Sequence, residues 1–325
     1  MPLSTSSSSD LGGVPPAPLH LPISARTGIL VLLTGLAVIL LGLELCSPLI
    51  LTRFSRIERR EESESQAAIT LHSFTADGRP TVLFVGNSLL LEGVDLDSLQ
   101  HNLAPQYAVS RFAIEQTQYL DWYFGLRRLL EEGSHPSVIV LSLATDQFAS
   151  ALSLDESFAH RQMSLRDFPL AVRENNLDKT TASTYLFAHF SNWLADKGFI
   201  RQDLLILLVP NFRELAARIA DHGPHIHDPS VLLKMAQQRL PELHDLSQTY
   251  GIKIVLLVPP SLKPDHSQEV QELGEKAGVP VWVLSPPGQF PPELYRDGFH
   301  LNVQGSEIFT ARLADQIRMK IGKLP

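Results

Sequence analysis

The sequence predicts an α/β protein built on a parallel sheet, and three observations carry that reading. Val82-Leu83-Phe84-Val85 and Val138-Ile139-Val140-Leu141 are unbroken apolar runs of strand length, as expected of strands buried on both faces. Between them, Tyr119 to Glu132 places Leu126, Leu129 and Leu130 at helical spacing, so strand, crossover helix and strand follow one another. Near the end, Gln304 to Ile321 repeats Phe309, Leu313, Ile317 and Ile321 every four residues, an amphipathic helix that closes the fold.

The remaining elements fall around these. Residues 1–26, with serines from Ser4 to Ser9 and Pro15, Pro16 and Pro18, cannot bury a core and are expected to be disordered. Residues 27–51 form one transmembrane helix: Thr27 through Leu43 is uncharged, and Cys46 to Leu51 continues the apolar character past Glu44. The apolar core is too long for a cleavable signal and no small-x-small site follows it; Glu44 and Leu45 also exclude a lipoprotein reading of Cys46. Residues 52–78 read as a juxtamembrane linker, solvated where arginine and glutamate mix from Arg53 to Ser65.

The globular domain occupies residues 79–325. After the first strand come a short helix from Gly93 to Leu103 and a second strand, Ala108 to Ile114. Ile252 to Val258 and Val281 to Leu284 supply the fourth and fifth strands. From about 149 to 250 only helical patterns appear, and this is read as a helical insertion that roofs the site or rests on the membrane surface through Leu204 to Val209.

Composition sets limits. In 325 residues, 44% apolar and 19% charged, the net charge of -8 argues against a nucleic-acid partner held by phosphate contacts. A single cysteine, Cys46, leaves no intrachain disulfide and no thiolate metal cluster. His222, His225, His227 and Asp228 lie in a Pro- and Gly-containing turn without a second ligand cluster, so a polar loop is expected rather than a metal site, and no cofactor is implied. Trp122 and Tyr123 on a crossover helix read as core before they read as a sugar groove.

The chemistry sits at two strand exits. Gly86 permits a tight turn at the carboxyl end of the first strand, where open α/β sheets place their ligands, and Ser88 follows. Taken alone, Asn87 or Ser88 could equally cap the next helix. Near the other end, Asp297 and His300 are three apart on one loop, a spacing that lets the carboxylate receive Nδ1 while Nε2 faces a serine hydroxyl.

Gly86-Asn87-Ser88 together with Asp297-Gly-Phe-His300 resembles the SGNH or GDSL superfamily of hydrolases and acyltransferases, over roughly residues 79 to 321. The resemblance implies a three-layer α/β/α sandwich on a five-stranded parallel sheet, flavodoxin-like, with Ser88 as nucleophile, His300 as base and Asp297 as its orienter. It also implies an oxyanion hole drawn from the serine N–H, a glycine N–H after strand two and an asparagine after strand three. Here those exits read Glu115-Gln116-Thr117 and Leu143-Ala144-Thr145-Asp146, so the expected donors are Ser88, Gln116 and either Thr145 or Gln147.

Anchored relatives in the superfamily imply an esterase or O-acyltransferase acting on acyl, above all acetyl, esters of cell-envelope or exported polysaccharide. Its partners would be an acylated carbohydrate or other small ester, the membrane through residues 27–51, and a membrane-bound acyltransferase. The rival reading is a catalytically degenerate module that binds glycan or scaffolds such a complex. Orientation divides the signals: Arg53, Arg56, Arg59 and Arg60 against Arg26 favour a cytoplasmic domain, whereas the resemblance implies an extracytoplasmic one.

Overall fold

A computed structural model describes residues 25–150, 156–212 and 228–323. It contains two compact units, Met1–Leu43 and Glu44–Pro325. The first contributes the start of α1 (Ala25–Phe54), whose side chains from Ile29 to Leu41 are exposed. The stretch Arg26–Arg53 is long and apolar enough to cross a membrane. Residues 1–24, the body of the expected disordered tail, lie outside the described residues.

In the second unit the structure departs from the expected linker. Residues Arg56–Ile69 form helix α2, capped by Ser55 through Glu58 N–H, and they belong to the globular body. The charges that suggested solvation have specific partners on strand β2 (Ala108–Ala113), an edge strand. Glu64 accepts from Ala113 N–H at 2.9 Å and from Arg111 Nη2 at 2.9 Å, while Arg60 donates to Ala113 O at 2.7 Å and to Glu115 at 2.6 Å. These side chains satisfy backbone groups that an edge strand otherwise leaves unpaired. Burial, then the neighbouring Glu115, pushes the Glu61 carboxyl up to about 9. Glu64→Ala leaves Ala113 N–H and Arg111 without their acceptor, and a loss of about 1–3 kcal/mol is expected, seen as a lower Tm in detergent.

The sheet has the order β2-β1-β3-β4-β5, all parallel, with β1 Thr81–Gly86, β3 Val138–Ser142, β4 Lys253–Val258 and β5 Val281–Val283. This is the strand order of flavodoxin-like doubly wound sheets. Alternation assigns the faces: Val82, Phe84, Val140 and Leu257 join one core, while Leu83, Val85, Leu141 and Leu256 join the other. The first core is closed by α4 (Leu96–Leu103) and α13 (Val303–Lys320), which contributes Phe309, Leu313 and Ile317. The second is closed by α5 (Tyr119–Glu131), α11 (Pro229–Tyr250) and α12 (Ser267–Ala277).

Two boundaries move. The helix expected from Gly93 to Leu103 is two: α3 (Ser88–Gly93), then α4 capped by Asp95, which accepts from Asp97 and Ser98 N–H. The region expected as an insertion to about 250 shows only helices among its described residues: α6 (Thr145–Ala149), α7 (Glu156–Arg161), α8 (Phe168–Glu174), α9 (Lys179–Phe190), α10 (Asn192–Leu208) and α11. Yet α11 buries Leu240, Leu243 and Leu246 in the sheet's second core, so it is the crossover into β4 and not part of an excursion. Of the histidine motif, His222, His225 and His227 lie outside the described residues, and Asp228 caps α11 through Ser230 N–H at 2.8 Å.

Candidate active site

Gly86 ends β1 where the chain must turn beside β3. A Cβ at that position would lie 2.5 Å from Ser142 O, so the close approach, not an unusual φ, excludes any side chain. Asn87, fully buried, then caps α3: its Oδ1 accepts from Leu89 N–H at 3.0 Å and its Nδ2 donates to Thr117 O at 2.9 Å. Ser88 is the first residue of α3, half-buried at the carboxyl edge of the sheet.

A second layer holds Asn87 in turn. Thr117 donates to Ile114 O and accepts from Trp122 Nε1 at 2.9 Å; Trp122 is core, edge-on to Phe112. The amide of Asn87 thus bridges the β1 and β2 exits with both of its ends used. Asn87→Asp keeps the cap but sets a carboxylate oxygen against Thr117 O. We expect a loss of about 1–3 kcal/mol in stability, read as a lower Tm.

The loop after β5 returns across the sheet edge to Ser88 because α13, which follows it, packs on α4; Thr310 Oγ1 accepts from Asp95 N–H at 3.0 Å. Asn302 caps α13 through Gly305 N–H, and Tyr295 and Leu301 form an antiparallel bridge that closes the loop. Within it, Gly298 turns with φ +82°, in the left-handed region. Asp297 Oδ1 then accepts from Phe299 N–H at 3.0 Å and His300 N–H at 2.7 Å. Its Oδ2 lies 2.8 Å from His300 Nδ1, and His300 Nε2 lies 2.9 Å from Ser88 Oγ.

The protonation pattern follows from these partners. Partial burial opposes ionisation of Asp297, but the His300 backbone N–H, the His300 ring and the Phe299 N–H outweigh it and hold the carboxyl well below the usual carboxylate range. An ionised Asp297 only accepts, so Nδ1 carries the proton and Nε2 presents its lone pair to the Ser88 hydroxyl. Arg296 joins the two halves: it pairs with Asp297 Oδ2 at 3.3 Å and with Glu92, on the same short helix as Ser88, at 2.6 Å. Neither Glu92 nor Arg296 stood out in the sequence, since an arginine beside an acidic residue is common on surfaces.

The strand exits place the other expected residues. Gln116 has φ +63°, the left-handed conformation that glycine adopts most easily, so a non-glycine residue holds the turn after β2. The backbone N–H groups of Ser88 and Gln116 have no protein acceptor among the described residues. Thr145 does not fit the side-chain donor role expected of it, because its one hydroxyl proton goes to Asp265 O. Gln147 accepts from Ala144 N–H at 3.0 Å through Oε1, which leaves its amide N–H groups to donate.

Beside the triad a cleft of about 400 Å³ runs along the β3 and β4 exits, lined by Leu89, Leu232, Pro260, Leu262 and Phe299 with Asp297 at its edge. Tyr295 also lines it; burial pushes its phenol up to about 12, and its hydroxyl has no hydrogen-bond partner among the described residues. It therefore stays a neutral donor at any working pH.

No protein-family model matches the chain, and no curated protein does. Among solved structures, the chain is similar to LAE5, an alpha/beta hydrolase from the metagenome of Lake Arreo, at 11% identity over 79% of this chain and 99% of that one, TM-score 0.40. It is also similar to a catalytic mutant of Axe2, an acetylxylan esterase from Geobacillus stearothermophilus, at 11% identity over 74% and 95%, TM-score 0.38. A third is TesA, at 14% identity over 74% and 99%, TM-score 0.37.

Proposed function

We propose that the protein is a membrane-anchored serine ester hydrolase or O-acyltransferase. The observation that carries this reading is the continuous array Ser88 Oγ–His300 Nε2 at 2.9 Å and His300 Nδ1–Asp297 Oδ2 at 2.8 Å. A lone serine hydroxyl is a weak nucleophile, and an imidazole within hydrogen-bond reach that is itself oriented by a carboxylate is what activates it. His300 Nε2 takes the hydroxyl proton as Oγ bonds to the acyl carbon. It then returns that proton to the departing alcohol as the carbon–oxygen ester bond breaks. Water, or a sugar hydroxyl in a transferase, resolves the acyl-enzyme by the same steps in reverse.

In this reading the oxyanion is met by the Ser88 and Gln116 backbone N–H groups and by the Gln147 amide. Gln147→Ala should lower kcat by up to about a hundredfold to a thousandfold, whereas Thr145→Val should leave kcat within severalfold, because its hydroxyl already serves Asp265 O. Equal turnover by wild type and Gln147→Ala would remove that residue from the assignment.

The substrate class, an acyl (above all acetyl) ester of cell-envelope or exported polysaccharide, is supported by the sequence resemblance, and so are the extracytoplasmic placing of the domain and a membrane-bound acyltransferase partner. The apolar stretch Arg26–Arg53 supports the anchor. A degenerate binding module is the rival, and a serine within hydrogen-bond reach of the histidine counts against it. The test is the burst of p-nitrophenol from p-nitrophenyl acetate with the full chain in detergent. A burst equal to the enzyme concentration supports acyl-enzyme formation; no burst together with retention on an acetylated glycan column supports the binder.

A further inference from the structure

Glu44 lies within the apolar stretch that runs from Thr27 to Leu51, nine residues before Arg53, which is about 13 Å along a helix axis. A carboxylate at that depth in a bilayer is costly unless donors surround it. The structure supplies them from one turn: Ser191 Oγ at 2.8 Å, Asn192 N–H at 2.5 Å and Trp193 N–H at 3.3 Å. These groups belong to the junction of α9 and α10, and Glu44 belongs with them to the second unit. The junction is thereby fixed at the level of Glu44, on the bilayer side of Arg53.

The side chains at that level are apolar and outward. Phe187 and Phe190, one turn apart on the last turns of α9, are 62% and 66% exposed, and Leu45 and Leu49 on α1 are 61% and 67% exposed. Exposed phenylalanines are uncommon on surfaces that face water, and an exposed aromatic face is the composition of a segment lying in the headgroup boundary.

We propose that the α9–α10 turn is a membrane-inserted wedge, with Phe187 and Phe190 in the lipid and the Glu44 carboxylate as the latch that holds them there. The proposal rests on reading α1 as a membrane span. It gives the globular unit a second attachment besides its tether.

The test uses the full chain with Cys46→Ser, reconstituted in phosphatidylcholine vesicles, with single cysteines labelled by NBD at Ala37, Phe187, Phe190 or Glu275. Doxyl-labelled lipid is the quencher. Strong quenching at Ala37 checks the span on its own. The wedge predicts that positions 187 and 190 are quenched several-fold more than the exposed Glu275 position, with a shallower depth than Ala37. Quenching at Ala37 with 187 and 190 no different from 275 would overturn the wedge and leave the span intact. Probes at 187 and 190 that are insensitive to doxyl lipid but self-quench as labelled chains are packed more densely would also overturn it, assigning the face to a second copy of the chain.

Discussion

Replacing Ser88 with alanine is expected to eliminate the p-nitrophenol burst and to lower kcat by about 10⁴- to 10⁶-fold. The residue is not a helix cap, since Asn87 caps α3, and its Oγ has His300 Nε2 at 2.9 Å. The substitution removes one oxygen from a half-buried position and leaves the Gly86 turn and the Asn87 bridge in place. The folded fraction should therefore match wild type by near-UV circular dichroism and Tm. That match separates loss of chemistry from loss of fold. A variant that keeps its burst would show that another group is acylated.

Asp297→Asn is expected to lower kcat by about 10⁴-fold while leaving KM within a few fold. An asparagine can present either its oxygen or its amide N–H to Nδ1, so His300 is no longer held with the Nδ1 proton and the free Nε2 lone pair. The same residue carries a stability signature. Its folded pKa lies below the ordinary aspartate value of about 3.9, so the ionised form favours the folded state. That contribution is complete above the unfolded pKa and is lost as pH falls through the folded one. The Tm difference between wild type and Asp297→Asn should be constant from about pH 6 upward and shrink as pH falls below about 4. No inflection in the activity profile near pH 4 should arise from Asp297.

The array of Ser88, His300 and Asp297 is legible because each half is local. Ser88 follows an apolar run and a glycine, and Asp297 and His300 share one turn, so the sequence states both ends and needs the fold only to join them. The strands themselves are legible as apolar runs, whereas their flavodoxin-like arrangement comes from the resemblance and not from the runs. The docking of α2 was not legible: Arg56 to Glu64 has the composition of a solvated helix, and its partners, Arg111, Ala113 and Glu115, lie about fifty residues away on the edge strand. Composition reports how polar a side chain is, not what neutralises it. The crossover helix Pro229–Tyr250 is not separable from the insertion in the sequence for a related reason, since no strand before it marks where the excursion ends. The position of Thr145 after β3 gives no sign of the acceptor that claims its hydroxyl, Asp265 O, which belongs to a loop 120 residues on.

The proposed function makes Ser88 an activated nucleophile. Its most direct test is covalent labelling of the full chain in detergent by a fluorophosphonate, followed by mass spectrometry of the peptide containing Gly86-Asn87-Ser88. A single adduct on Ser88 is expected, its rate reduced by orders of magnitude in His300→Ala. An unlabelled Ser88 in a folded protein, or labelling at the same rate without His300, would contradict it.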